Sequence, residues 1–231
     1  EDTLAGQINR LDLRAADGRP VRAYNLGYPT MSLLKDLTLL DAALSAGPPP
    51  DLILWLLTLE SFAVRDQLDP ALLQNNPDVV RDLISRFDLA QKTDDPRFVE
   101  PDFWDETIVG RRRDLADLLR LQLYGAAWAL TGVDQAYGGY TPRAIDLSAD
   151  ATWRGFAPGE LERADLAFDV LAAGVARAGD VPVVLVNEPI FLSDGANSDV
   201  RYNAFYPRWA YDAYREALAD EARASGWALL D

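Results

Sequence analysis

Apolar residues in this chain fall into two kinds of run. Four short segments, Pro20–Leu26, Leu52–Leu57, Val181–Asn187 and Trp227–Leu230, are bounded by turn signals and read as strands. Three are near-continuous in apolar residues, as suits strands buried on both faces of a parallel sheet, and VRAYNL is the most mixed. Between them the apolar positions recur at helical spacing. Met31–Ala46 places Leu33, Leu34, Leu37, Leu40 and Leu44 on one side and stops at Gly47, ahead of Pro48-Pro49-Pro50. Pro158–Ala178 and Ala204–Ser225 are two more amphipathic helices, stopped by Gly179 and Gly226. The order is strand, helix, strand, long insertion, helix, strand, helix, strand. It predicts an open, doubly wound parallel α/β sheet in a single domain spanning residues 1–231.

The insertion, about Ala63 to Ala157, is helical in pattern and holds no convincing strand. Pro70 and Pro77 start helical turns, Asp94-Asp95-Pro96 breaks them, Thr107–Leu130 forms a long helix, and Gly132–Gly159 reads as a loop. Insertions at the carboxyl ends of parallel strands usually cover a pocket, so this one is expected to cap the side of the sheet that carries Asn25 and Glu60. Its longest apolar stretch, Leu115–Val133, contains Asp117, Arg120 and Gln122. A single charge at the middle of a bilayer costs ~2.5–3.5 kcal/mol on insertion scales, so the segment reads as a buried or lid-forming helix and no membrane span is expected.

Composition narrows the chemistry. The 231 residues carry a formal net charge of −15, which argues against a nucleic-acid partner. The one dense basic run, Arg111-Arg112-Arg113, sits beside Glu106 and Asp114 and reads as a solvated helix start. There is no Cys and no His, so thiolate and imidazole sites cannot be built from this chain, and no cofactor or metal is expected. The chain begins at Glu1 and its sole methionine is Met31, so processing or truncation is expected.

In open α/β sheets, ligands bind beyond the carboxyl ends of the strands. Polar residues stand at three such ends: Asn25-Leu26-Gly27, Thr58-Leu59-Glu60-Ser61 and Asn187-Glu188-Pro189. The succession YNLGYPTMSLLKDL, DLILWLLTLESF and VPVVLVNEPIF resembles the SGNH (GDSL) hydrolase family of serine esterases and acyl hydrolases. The resemblance covers most of the chain outside the insertion and implies a three-layer, flavodoxin-like fold. It also implies a small-molecule or glycan substrate carrying an ester, and an extracytoplasmic setting. The family's second block runs Asn-x-Gly-x-x-Gly and lends a backbone N–H to the oxyanion hole. Asn25 and Gly27 match it, and Thr30 stands in place of the second Gly. Its third block, Gly-x-Asn-Asp, offers an Asn side chain as a further donor. Glu60 stands there instead, and an ionised carboxylate cannot donate.

The Gly-Asp-Ser nucleophile block and the closing Asp-x-x-His block are absent, and Glu1–Asn9 reads as the helix that follows the former. The chain alone is therefore expected to be inactive. The family's first strand is central, between the second and third. Its absence predicts that Arg22–Asn25 pairs directly with Leu52–Leu56, or that the chain is a fragment. A non-catalytic glycan-binding relative is the alternative from another class. A third reading takes Glu60 and Glu188 as the paired carboxylates of a retaining glycosidase, since a strand ending in Asn-Glu-Pro also occurs in (β/α)8 glycosidases. The aromatic loop Phe191–Trp209 offers Asn197, Asp199 and Tyr202 as ligand contacts beside Asn187 and Glu188, and Asp194, Asn197 and Asp199 as a weak calcium pattern. Alternatively, Tyr202, Phe205, Tyr206 and Trp209 pack that loop against the sheet.

Overall fold

The computed structural model describes residues 3–91, 98, 102–104, 107–131, 152–188 and 207–231. Three parallel strands, β1 (Ile53–Leu57), β2 (Val183–Asn187) and β3 (Ala228–Leu230), lie side by side in sequence order. Trp55 pairs with Leu185 and Leu57 with Asn187, while Val184 and Val186 pair with Ala228 and Leu230. The helices are α1 (Leu4–Arg10), α2 (Leu33–Ala46), α3 (Ala71–Gln74), α4 (Pro77–Phe87), α5 (Arg112–Thr131), α6 (Phe168–Ala178) and α7 (Arg208–Ser225). The chain is thus a mixed α/β fold built on a small parallel sheet.

Crossovers between parallel strands are right-handed almost without exception, so two successive steps in one direction place both connecting helices on one face. The contacts agree with this rule. A Cβ added to Gly174 of α6 would lie 2.2 Å from the ring of Trp55, and Tyr214 of α7 donates to Asn187 Oδ1 at 3.1 Å. By the register, Trp55, Leu57, Leu185 and Asn187 share that face. The other face carries Leu54 at 41% exposure and Leu56 at 38%, with Leu230 more exposed still. The described residues therefore build two layers, not the three expected.

The core is continuous across that helical layer. Leu33 and Leu37 of α2, Val80 and Leu83 of α4, Phe168 and Leu171 of α6 and Leu218 of α7 are buried with Leu57 and Leu185 in one cluster. Each such side chain contributes about 1.5–3 kcal/mol by leaving water. Asp41 of α2 adds a polar tie, accepting from Arg86 of α4 at 3.0 Å and from Arg177 of α6. Burial works to raise the Asp41 carboxyl, but the two guanidinium groups outweigh it and hold it below the ordinary carboxylate range.

Three elements differ from expectation. Pro20–Leu26 is not a strand: among the described residues its sole ladder contact is the bridge of Pro20 with Arg14, and Arg22–Asn25 does not pair with β1. Instead the side chain of Asn9 on α1 takes both backbone groups of Ala23, donating to its O and accepting from its N at 2.8 Å each, as a neighbouring strand would. The helix expected from Pro158 begins at Phe168, because Gly159 adopts a φ of 89° and Leu166 bridges to Ala63. The helix α5, expected to be buried or lid-forming, has no buried residue, which overturns the first of these alternatives.

Gly174 is the contact on which α6 rests. Substituting Gly174→Ala restores about 1 kcal/mol of helix propensity but drives a methyl into the Trp55 ring. The expected net outcome is a loss of about 2 kcal/mol, read as a lower urea midpoint at unchanged slope.

Candidate functional site

The Asn25–Lys35 corner is built from local hydrogen bonds. Asn25 Oδ1 accepts from the N–H of Gly27 at 2.8 Å, which closes an Asx turn, and a Cβ on Gly27 would fall 2.9 Å from the same oxygen. That N–H, expected to face an oxyanion, is therefore held by Asn25. Thr30 has a φ of 77°, left-handed backbone that a β-branched residue rarely adopts and that glycine takes freely. Ser32 then caps α2, accepting from Lys35 N at 3.2 Å.

Two buried side chains that sequence patterns did not single out hold this corner. Lys35, 5% exposed, donates through Nζ to Tyr28 O at 2.9 Å and Thr30 O at 2.6 Å, and pairs with Asp36 Oδ1 at 3.0 Å. Burial pushes the Asp36 carboxyl up, with Lys35 and the Trp55 indole pulling against it. Gln67, 1% exposed, accepts from Leu34 N at 3.0 Å and from Ser32 Oγ at 3.3 Å, and its amide donates to Ser61 O at 2.7 Å and Ala63 O at 3.0 Å. One side chain thereby staples the corner to the loop that follows β1.

That loop carries Glu60. Thr58 caps a short 3₁₀ turn, Leu59–Phe62, by accepting from Glu60 N at 3.3 Å. The Glu60 carboxylate turns to Arg154, which also pairs with Asp66. Arg154 and Gly155, with φ of 53° and 87°, are the central residues of a tight hairpin turn closed by reciprocal backbone bonds between Trp153 and Phe156. Burial and the nearby Asp69 push the Asp66 carboxyl upward, and Arg65 works against them. Beside this cluster a cleft of about 250 Å³ is lined by Arg65, Trp153, Arg154, Phe156 and Asp165, among others. The indole N–H of Trp153 and Oε2 of Glu60 are buried without a hydrogen-bond partner among the described residues.

At the end of β2, Asn187 is 5% exposed and its amide is fully occupied. Its Nδ2 donates to Tyr211 at 2.9 Å and to Asp231 Oδ1 at 2.7 Å, and Arg215 Nε donates to Asp231 Oδ2 at 2.6 Å. Glu188 is exposed, its N–H donates to Leu57 O at 2.8 Å, and partial burial of its carboxyl pushes that group upward. Glu60 and Glu188 therefore leave adjacent strands at the same edge of an open sheet, and Glu60 is engaged by Arg154. Asp194, Asn197, Asp199 and Tyr202 lie outside the described residues, as do Phe205 and Tyr206. Trp209 packs partly buried against the core. Among the described residues no group of carboxylates has the grouping of a metal site.

The structure thus brings the Asn25–Thr30 corner and the Glu60 loop together through Gln67. It leaves Asn187 as an internal support beside them. In the sequence Arg154 stands only as part of an Arg-Gly dipeptide between two aromatics, and no spacing or motif marks Lys35 or Gln67.

Two substitutions test this arrangement. Thr30→Gly removes a left-handed threonine strained by about 1–2 kcal/mol and adds about 0.5–1 kcal/mol of unfolded-state entropy, so stability should hold or rise by up to about 1 kcal/mol in a denaturant titration. Arg154→Met leaves Glu60 and Asp66 facing each other and should cost about 2–3 kcal/mol at neutral pH, with Glu60→Gln in the same background recovering much of it. No recovery in that double variant would mean that Arg154 acts through packing. Set against protein-family models, curated proteins and solved structures, the chain matches none, so the chemistry of the site is read from its own residues.

Proposed function

We propose that these residues form the core of an SGNH-type ester hydrolase or deacylase acting on an acylated, carbohydrate-like substrate, with the serine and histidine supplied by segments outside this chain. The observation that carries the reading is the sheet. β1, β2 and β3 lie in sequence order, like the last three strands of the flavodoxin-like order 2-1-3-4-5. In that order the slot beyond β1 belongs to the first strand and the next to the second. Here no described strand pairs with β1 on that side, and Val21–Leu26, which would be the second strand, has Asn9 in place of a strand neighbour. The positive φ of Thr30, at the position of the family's second glycine, supports the same alignment.

In the complete enzyme, serine Oγ attacks the ester carbonyl while histidine takes its proton. The tetrahedral oxyanion is met by backbone N–H groups of the turn near Thr30, the Gly27 N–H being held by Asn25, and collapse expels the alcohol and leaves an acyl-serine for water to hydrolyse. Pairing with Arg154 lessens the charge that Glu60 would otherwise place near that oxyanion. Glu60 in the donor position also favours a second reading, a non-catalytic relative that binds a glycan or acylated glycan.

The test is to compare the 231-residue chain with a version extended through its own flanking sequence, using p-nitrophenyl acetate. Turnover should appear only in the extended chain, and changing its added serine to alanine should lower kcat by more than ~10⁴-fold. Turnover by the shorter chain would overturn the proposal. Flanks without Gly-Asp-Ser and Asp-x-x-His would favour the binder.

A further inference from the structure

We propose that Lys35 is a positioning residue of the oxyanion site: its buried ammonium sets the turn at Tyr28–Thr30 so that the Thr30 N–H is offered outward to the substrate. The inference rests on the hydrolase reading above and names the group that orients its donor. The first observation is which amide is left to donate. The Gly27 N–H is held by Asn25, Pro29 has none, and the carbonyls of Tyr28 and Thr30 are both taken by Lys35. The Thr30 N–H has no hydrogen-bond partner among the described residues, and Thr30 is exposed.

The second observation is how completely the ammonium is used. A lysine has three N–H donors. Those of Lys35 go to Tyr28 O at 2.9 Å, Thr30 O at 2.6 Å and Asp36 Oδ1 at 3.0 Å. Two carbonyls two residues apart thus converge on one atom, and the Pro29–Thr30 peptide, which carries the N–H, is fixed between them. It cannot rotate without breaking a charge-assisted bond. Thr30 lies at a φ of 77°, outside the region a β-branched residue prefers, so this hold is what keeps the turn from relaxing.

The third observation is the placement of the lysine. Carbonyls of an exposed turn are ordinarily satisfied by water, yet here a side chain only 5% exposed satisfies them. Lys35 also lies in the first turn of α2, three residues after the Ser32 cap, where the helix dipole disfavours a cation. Stability of the helix alone therefore favours another residue at this position. Asp36 balances the ammonium, so what Lys35 supplies to the site is orientation more than charge.

The test begins with the 231-residue chain. By amide nitrogen relaxation, the Thr30 N–H should be as rigid as α2, with an order parameter near about 0.85, and yet exchange its proton as fast as an exposed amide. Lys35→Met combined with Asp36→Asn leaves no charge of the pair behind. It should lower the Thr30 value below about 0.6 while the amides of Leu37 and Leu40 stay rigid. In the chain extended through its own flanking sequence, the same double variant should lower kcat for p-nitrophenyl acetate roughly 10- to 100-fold at unchanged KM, since losing an oxyanion donor outright costs about 10²–10³. A mobile or slowly exchanging Thr30 amide in the wild type would overturn the proposal without any variant. So would a Thr30 amide that stays rigid in the double variant, or an effect confined to KM. An extended wild-type chain without turnover would overturn the hydrolase reading itself, and the donor's role with it, even where Thr30 proves rigid.

Discussion

Three parallel strands that step in one direction receive both of their connecting helices on one face. Everything else in this molecule follows from how that single roof is made. The connecting helices arrive on the same side, so the alternation of each strand divides into residues that pack and residues that do not. Trp55 and Leu57 are buried while Leu54 and Leu56, one position away on the same strand, are exposed. The roof fits because Gly174 has no side chain where the Trp55 ring lies. A doubly wound sheet needs a reversal of direction, and no described strand supplies it on the β1 side.

The polar interior is organised by long side chains that satisfy backbone groups at a distance. Gln67 serves four partners from one position, and Lys35 closes the carbonyls of a turn that has no ladder to use them. Both substitute for secondary structure where the chain bends sharply, and both leave buried donors and acceptors paired. Arg154 works differently. It is held in left-handed backbone and brings a guanidinium to two carboxylates, so local conformational cost and electrostatic gain meet at one residue. The loop after β1 is therefore tied through its backbone carbonyls to Gln67 and through its carboxylates to Arg154.

Elements set by local pattern were legible from the residues alone. Leu33 to Leu44, with Ser32 ahead and Gly47 behind, could hardly form anything but the helix α2, and the apolar runs at Leu52, Val181 and Trp227 all yielded strands within a residue or two. Elements set by a partner were not. Val21–Leu26 has the composition of a strand, but a strand exists only in a ladder, and Asn9 took the place of its neighbour at Ala23. The same limit governs the site. Asn25 stood out at a predicted strand end, and Gly27 and Thr30 through the resemblance, whereas Gln67 and Arg154 act on residues far along the chain or through an unusual φ, which spacing does not encode, and Lys35 works by a side chain folded back on its own turn. Asn187 was visible for its position at a strand end, but its neighbours Tyr211, Tyr214 and Asp231 turn it inward.

The open side of β1 carries a further consequence for how the protein behaves in bulk. A strand that no other described strand pairs on one side, flanked by exposed leucines, is a template on which identical copies can add. Within the strand itself no gatekeeper interrupts Leu54 and Leu56, and Pro48-Pro49-Pro50 and Asp51 guard only its amino end. The defence is global instead. Thirty-seven acidic residues against twenty-two basic ones keep copies apart by mutual repulsion, so colloidal stability is supplied by the surface as a whole and not by the edge. Such a defence is only as durable as the charge itself: it thins with added salt and vanishes near the isoelectric point of about 4.3, where the edge becomes the adhesive part of the molecule.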